Sequence, residues 1–353
     1  MAAASAMIGI AGLAACASAV LVGAVRRWAD HRLLDLPNER SSHAHPTPRG
    51  GGLGIVATIS AGLAAGAYLG LDGRWLAVAA GGLAVAAVSF ADDLRPLAPW
   101  VRLACHVVVV ALTFAALGSP TSVELPVLGH VALGPAGVAL GLVWVVGLMN
   151  AFNFMDGIDG LAGTQALAAG AGWALLGAWG AGPDLSVAGV LVAGAALGFL
   201  WHNWPPAGIF MGDVGSVYLG YLLAVLAAVA ARRGPAWAVA GVLLVWPFVF
   251  DAGFTFLRRA ARRENVLRPH RSHLYQRLVI AGWSHRRTTG LYGALAVAGV
   301  GAGALYVAGA AAGRLLALAL VAVLAAGLWT VVCAVERGQA ASLVSRGGRG
   351  AAS

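Results

Sequence analysis

The sequence predicts an all-α, polytopic membrane bundle, and three observations carry that prediction. Of its 353 residues, 60% belong to the hydrophobic set Ala, Val, Ile, Leu, Met, Phe, Trp, Tyr and Cys. Only 10% are charged, against roughly 25% in an ordinary soluble domain. The apolar residues fall into long runs parted by short polar joints, with a mean hydropathy of +0.82. At about 20 residues per span, the length accommodates on the order of ten or eleven transmembrane helices. Water cannot solvate so much apolar surface, which excludes a soluble enzyme and a disordered tail protein.

In chain order the predicted spans are 6–25, 51–70, 75–91, 101–118, 134–152, 161–180, 185–203, 214–231, 236–256, 288–309 and 314–335. The first reads as a retained span. Leu13-Ala14-Ala15-Cys16 resembles a lipoprotein cleavage box, yet no basic residue precedes the run, and Arg26 and Arg27 follow it. With the N-terminus outside, the joints after alternate spans and the tail fall on the cytoplasmic side. They hold 19 of the 23 basic residues, all arginine, while Arg74, Arg232, Arg233 and Arg314 fall opposite. That bias sets the orientation and accounts for the net charge of +9 without nucleic acid. Fifty glycines suit close helix packing in lipid. Cys16, Cys105 and Cys333 lie in apolar stretches and are expected as buried thiols. Alternation over 121–130 predicts a small hairpin between spans four and five. The whole chain reads as one integral membrane domain, with 336–353 as a flexible cytoplasmic tail.

The acids share a side. Asp92, Asp93, Asp156, Asp159 and Asp213 fall at the cytoplasmic ends of spans three, five and seven. Carboxylates at a membrane edge are costly unless paired, so they are functional candidates by default. A divalent cation would relieve their repulsion. Oxygen ligands favour Mg2+, which binds one or two carboxylates plus substrate phosphates; Mn2+ is the alternative ion.

Four motifs carry the chemistry. Asp92 and Asp93 are adjacent, so on a helix they point about 100° apart and need not serve one ligand. Asn150, Asn153, Asp156 and Asp159 recur every three residues, a spacing that keeps side chains on one slowly drifting helix face. Gly157 and Gly160 suit an unwound backbone there. In Phe210-Met211-Gly212-Asp213-Val214-Gly215-Ser216, preceded by Asn203, an aspartate opens an apolar helix. Such a start offers backbone N–H groups to phosphate, Asp213 could hold the shared cation, and Phe210 presents a flat face to a base. The longest inside loop holds Arg268, His270, Arg271 and His273, suited to phosphate contact and proton movement. The early loop, Asp35 to Gly52 with Arg49, is a further phosphate-friendly patch.

In this order the motifs resemble the polyprenyl-phosphate N-acetylhexosamine-1-phosphate transferases, the family of WecA, WbpL and MraY. The resemblance runs from Asp35 to Arg277. It implies transfer of a sugar 1-phosphate from a UDP-sugar to undecaprenyl phosphate at the cytoplasmic face of the bacterial inner membrane, releasing UMP, as the first step of O-antigen or other envelope glycan synthesis. By resemblance, Asp213 is the Mg2+ ligand with Asn153 and Asp159 near the metal, and Asp92 is the base or lipid-phosphate contact beside Asp93. Asn153, Asp156, Asp159, Asn203 and Phe210 would line the nucleotide pocket, and His270 and His273 match the family's later histidine motif. The catalytic candidates are therefore Asp92, Asp93, Asp159, His270 and His273. The substrate-binding candidates are Arg49, Asn150, Asn153, Asp156, Asn203, Phe210, Arg268 and Arg271. This chain reads His-Arg-Ser-His where the muramyl-pentapeptide branch has three histidines, and it lacks that branch's early lysine. Both departures point to the WbpL/WecA branch and to GlcNAc or a modified amino sugar. The expected partners are undecaprenyl phosphate, the UDP-N-acetyl amino sugar and membrane lipids, with a homodimer as a candidate assembly. The rival reading is a transporter or flippase of an anionic or lipid-linked solute, for which Asp251 inside span nine is the best-fitting residue; the other reading of Asp251 is a satisfied buried polar group.

Overall fold

The computed structural model describes residues 2–30, 32–35, 46–266, 268 and 270–350. Residues 36–45 of the early loop, with Arg40, His43 and His45, lie outside the described residues. The elements in order are α1 (Ala2–Ala29), β1 (Leu34–Asp35), β2 (Thr47–Pro48), α2 (Gly52–Tyr68), α3 (Arg74–Leu94), α4 (Pro99–Leu117), β3 (Ser122–Leu125), β4 (Gly129–Ala132), α5 (Ala136–Met155), α6 (Leu161–Leu176), α7 (Pro183–Asn203), α8 (Asp213–Ala231), α9 (Pro235–Leu244), α10 (Trp246–Ala261), α11 (Leu274–Ile280), α12 (His285–Ala308) and α13 (Ala311–Gly350). Every predicted span is helical. Among the described residues, eight helices are long and apolar enough to cross a membrane, or nine if α9 and α10 form one broken span. The shorter α2 and α6 complete the bundle. β3 and β4 form the expected hairpin, with Glu124 opposite His130.

Two spans depart from straight helices. The stretch 236–256 is bent by 75° between α9 and α10. Pro247, just inside α10, has no N–H to continue the preceding turn, and Trp246 Nε1 pins the corner by donating to Leu295 O at 3.0 Å. The stretch 161–180 passes from α6 into a π-helical turn, Gly177–Ala181, with a non-helical Gly180. Helix α13 continues through the segment expected as a tail. The cysteines also correct the expectation: Cys16 is exposed and the other two are half-buried. An apolar run in a lipid-facing helix does not imply a protein interior, because lipid is as apolar as the core.

Helix α8 is the buried axis. It is apolar around its circumference, the pattern of a helix enclosed on all sides. Polar contacts tie it to α2, α3, α4 and α5. Tyr218 Oη lies 3.0 Å from Ser60 Oγ on α2, Tyr221 Oη 2.9 Å from Thr113 Oγ1 on α4, and Ala224 O accepts Trp144 Nε1 of α5 at 3.1 Å. The start of α8 is gripped most closely: a Cβ on Gly52 would lie 2.3 Å from the Gly215 Cα. We expect Gly52→Ala to push α2 off α8 and cost about 1–3 kcal/mol, read as a lower melting temperature of the purified protein in detergent. An unchanged melting temperature would contradict the contact.

Candidate active site

Alternating helix direction brings the ends of α3, α5, α7 and α10 together with the starts of α2, α4, α6, α8 and α12. This is the acid end. The two neighbouring aspartates of α3 diverge there, as their helical spacing requires. Asp93 is buried and turns inward: its Oδ2 accepts Val214 N at 3.2 Å, capping α8 from another helix. Gly212, at φ 76°, adopts the left-handed backbone that lets the chain enter α8 past this carboxylate. Arg49 steadies Asp93, with Nη1 3.6 Å from Oδ1 and Nη2 donating to the Asp93 carbonyl. Arg49 is placed by a parallel bridge to Phe210, whose N donates to Pro48 O at 2.8 Å.

Asp92 turns outward. Its Oδ1 accepts Leu97 N at 2.6 Å, and its Oδ2 pairs with Arg102 of α4. The same Arg102 Nη1 lies 3.6 Å from Asp213 Oδ2. One guanidinium therefore bridges the outward aspartate of α3 and the first residue of α8. Both acids line a cavity of about 720 Å3. Asn150, Asn153, Arg268, His270 and His273 share that cavity with apolar residues including Leu103 and Phe256. Asn153 donates to Ser216 Oγ at 3.3 Å and also hydrogen-bonds Asp213.

The polar register of four splits where α5 ends. Asn150 and Asn153 face the cavity, but Met155 closes the helix and Asp156 caps it. Gly160, at φ 77°, turns the chain into α6. Neither Asp156 nor Asp159 lines the cavity. Burial, together with the charges of Asp213, Asp93 and Asp159, holds the Asp156 carboxyl well above the ordinary carboxylate range. Asp159 Oδ2 accepts Ala207 N at 3.1 Å and lies 3.3 Å from His285 Nδ1. Asn203 is buried and clamps this turn, accepting Gly160 N at 2.9 Å and donating to Ile209 O at 2.8 Å. Phe210 is half-buried and, like Arg49, outside the cavity lining. Arg271 is half-buried and also outside it.

The histidine motif is built by a residue first read as the rival's best support. Asp251 of α10 is fully buried, and its two oxygens meet five donors. These are His273 Nδ1 at 3.3 Å, Leu274 N at 2.8 Å, Tyr275 N at 3.1 Å, Tyr292 Oη at 2.5 Å and Thr255 Oγ1 at 3.2 Å. It is a satisfied structural acid that fastens α11, and His273 with it, to α10 and α12. His270 rests beside His273, ring centroids 4.9 Å apart. Burial, then the neighbouring His273 and Arg259, push its imidazole down to about 4, so it is neutral near pH 7. Arg259 is buried and folds the loop, with Nε 2.9 Å from Glu264 Oε2 and Nη2 2.7 Å from Asn265 O.

Sequence reasoning gave Arg102 and His285 no role, and read Asp251 only as the rival's best-fitting residue or a satisfied buried polar group. Arg102 lies ten residues beyond Asp92 across the short α3–α4 joint, which was the available signal. The other two act over 22 or more residues of separation, where one sequence carries no sign of contact.

The comparisons with known proteins fall on this architecture. The glycosyl transferase family 4 model matches residues 75–231. A Bacillus subtilis protein named "Probable undecaprenyl-phosphate N-acetylglucosaminyl 1-phosphate transferase" is 30% identical over 257 residues, 72% of this chain and 71% of the relative. This chain belongs to glycosyl transferase family 4. The matched segment of the family-4 chain holds both bridged acids and all of α8. The decaprenyl-phosphate N-acetylglucosaminephosphotransferase of Mycobacterium tuberculosis is 30% identical over 335 residues, 86% of this chain and 82% of its own. A phospho-N-acetylmuramoyl-pentapeptide-transferase of a Synechococcus species is 34% identical over 311 residues, 81% and 88% respectively.

Removing the Asp251 carboxylate would leave buried donors unmet at about 1–3 kcal/mol each. We therefore expect Asp251→Ala to speed amide exchange across Leu274–Ile280 by at least roughly tenfold, measured by hydrogen–deuterium exchange. Exchange no faster than in the unaltered protein would remove Asp251 from its anchoring role.

Proposed function

We propose that this family-4 chain transfers an N-acetylhexosamine 1-phosphate from its UDP carrier to undecaprenyl phosphate on the cytoplasmic side of a bacterial inner membrane, releasing UMP. The observation that carries the reading is the Arg102 bridge between Asp92 and Asp213 at a cavity of about 720 Å3 with an apolar wall and a phosphate-friendly rim. The arginine bias supports a cytoplasmic position for the acid end. Relatives named for both the N-acetylglucosamine and the muramoyl-pentapeptide branches share similar identity. The sugar assignment therefore rests on the His-Arg-Ser-His motif and the missing early lysine, which favour the WbpL/WecA branch and a GlcNAc-type sugar.

The donor set fits Mg2+. Among the described residues, no group of three His, Cys, Asp or Glu side chains is arranged to hold a metal alone. Mg2+ takes one or two carboxylates and completes its shell with substrate phosphates and water. Asp213, one-third exposed, and Asn153 beside it would hold the ion. Asp159, tied to Ala207 and His285, would support the turn behind them. Bound there, Mg2+ or Mn2+ would neutralise charge on the diphosphate.

The chain's own groups do the rest. A lipid-phosphate oxygen attacks the β-phosphorus of the UDP-sugar, the bond to the bridging oxygen of the UMP phosphate breaks, and UMP departs with that oxygen. Such transfers need positioning and charge neutralisation more than covalent help. Arg102 and Arg268 would draw the phosphates into line, and Asp92 would take any proton remaining on the lipid phosphate. His273, steadied by Asp251, and neutral His270 would hydrogen-bond phosphate oxygens. The polyprenyl tail would leave along the apolar wall.

The rival transporter reading needs acids spread near the bilayer midplane. Here they gather at one end, and the single candidate inside a span, Asp251, has its oxygens fully used.

Purified protein is expected to release UMP from UDP-GlcNAc or a related UDP-amino sugar only when undecaprenyl phosphate and Mg2+ are both present. Asp213→Asn should keep the melting temperature while lowering turnover by at least about a hundredfold, the scale of losing one strong electrostatic contact to the reacting group. Near-normal turnover in Asp213→Asn would overturn the metal assignment, and no release from any UDP-amino sugar would overturn the activity.

A further inference from the structure

At the end of the bundle opposite the acids, the four arginines that break the inside bias have different fates. Arg314 is neutralised by Glu124 at 2.7 Å. The other three, Arg74, Arg232 and Arg233, line one cavity of about 370 Å3. It lies among the starts of α3 and α7 and the ends of α4 and α8, with Asp72, Trp75 and Asp184 in its wall. The two acids are already engaged. Asp72 takes Arg74 N at 2.9 Å and Arg74 Nε at 3.2 Å, and Asp184 takes Trp75 Nε1 at 3.2 Å. Arg232 reaches the Leu117 carbonyl through one nitrogen, Nη1. Arg233 is exposed, its guanidinium packs over Gly182, and that side chain makes no hydrogen bond or ion pair among the described residues. Helix α7 begins beside it at Gly182–Pro183 with no side chain closing its first turn.

We propose that this cavity is a second anion site, separate from the reaction centre, that binds a phosphate group. The chemistry is specific. Guanidinium groups match phosphate with paired N–H donors, and the open α7 start adds backbone dipole. Three arginines against two engaged aspartates leave one positive charge for the ligand to balance. Tyr68 and Trp179 stand exposed at this same end, and Tyr and Trp mark the level where head groups lie. Free inorganic phosphate presents the same chemistry, and the experiment tells the two apart.

The test uses the full-length protein and the double variant Arg74→Gln/Arg233→Gln. Neither residue belongs to the reaction centre, so UMP release should match the unaltered protein and report an intact fold. Arg233→Gln alone serves if the double variant is unstable. In one arm, native mass spectrometry follows phosphatidylglycerol bound after extraction and its re-addition. In the other, inorganic phosphate is titrated and the melting temperature read. The site predicts one saturable adduct, phosphatidylglycerol or phosphate, that the double variant binds at least about tenfold more weakly, the loss expected for two charge-assisted contacts. Lipid retention identifies a membrane source and phosphate-induced stabilisation a soluble one. Equal retention and equal stabilisation in variant and unaltered protein would overturn the site.

Discussion

The structure depends on how acids are tolerated at one end of an apolar bundle. Five aspartates collect there, and repulsion would drive them apart without partners. Four of them are answered by specific donor sets, while burial and its acidic neighbours hold the Asp156 carboxyl above the ordinary carboxylate range. Arg49 and the start of α8 hold Asp93, Arg102 holds Asp92 and reaches Asp213, and Ala207 with His285 holds Asp159. Asp213 is the least enclosed, shared between one arginine and one asparagine at the rim of the cavity. It is where a cation has the most to neutralise.

Helix α8 turns this local balance into a rigid site. Its first residue is Asp213, and the glycine contact with α2 and the Asp93 cap fix where it begins. Along its length, Tyr218, Tyr221 and the Ala224 carbonyl tie it to α2, α4 and α5. Displacing any of these helices moves the Asp213 carboxylate, the proposed cation ligand. Across the cavity, Asp251 does the same for the histidines by gathering α10, α11 and α12 around one carboxylate.

Much of this was legible in the sequence. Apolar run lengths located every span, alternation located the β3–β4 hairpin, and helical geometry required Asp92 and Asp93 to part. What misled was extrapolation of local periodicity. The three-residue register from Asn150 to Asp159 put all four side chains on one helix face, but Met155 ends α5, so only the two asparagines face the cavity. The Trp246-Pro247 pair announced a corner that the hydropathy of 236–256 concealed. The clamp that Asn203 makes was not legible, because its partners, Gly160 and Ile209, are set by tertiary packing. Of the two readings of Asp251, transport residue or satisfied buried acid, the structure gives the second, but the donors that satisfy it come from three helices and no local signal names them.

The central claim is that Asp213 and its neighbours form a cation site completed by a diphosphate. Electron paramagnetic resonance of Mn2+ titrated into the purified protein with UDP tests it most directly. The account predicts one bound ion per chain, tightened by UDP and lost when Asp213 becomes asparagine. Binding that ignores UDP and survives that substitution would contradict it.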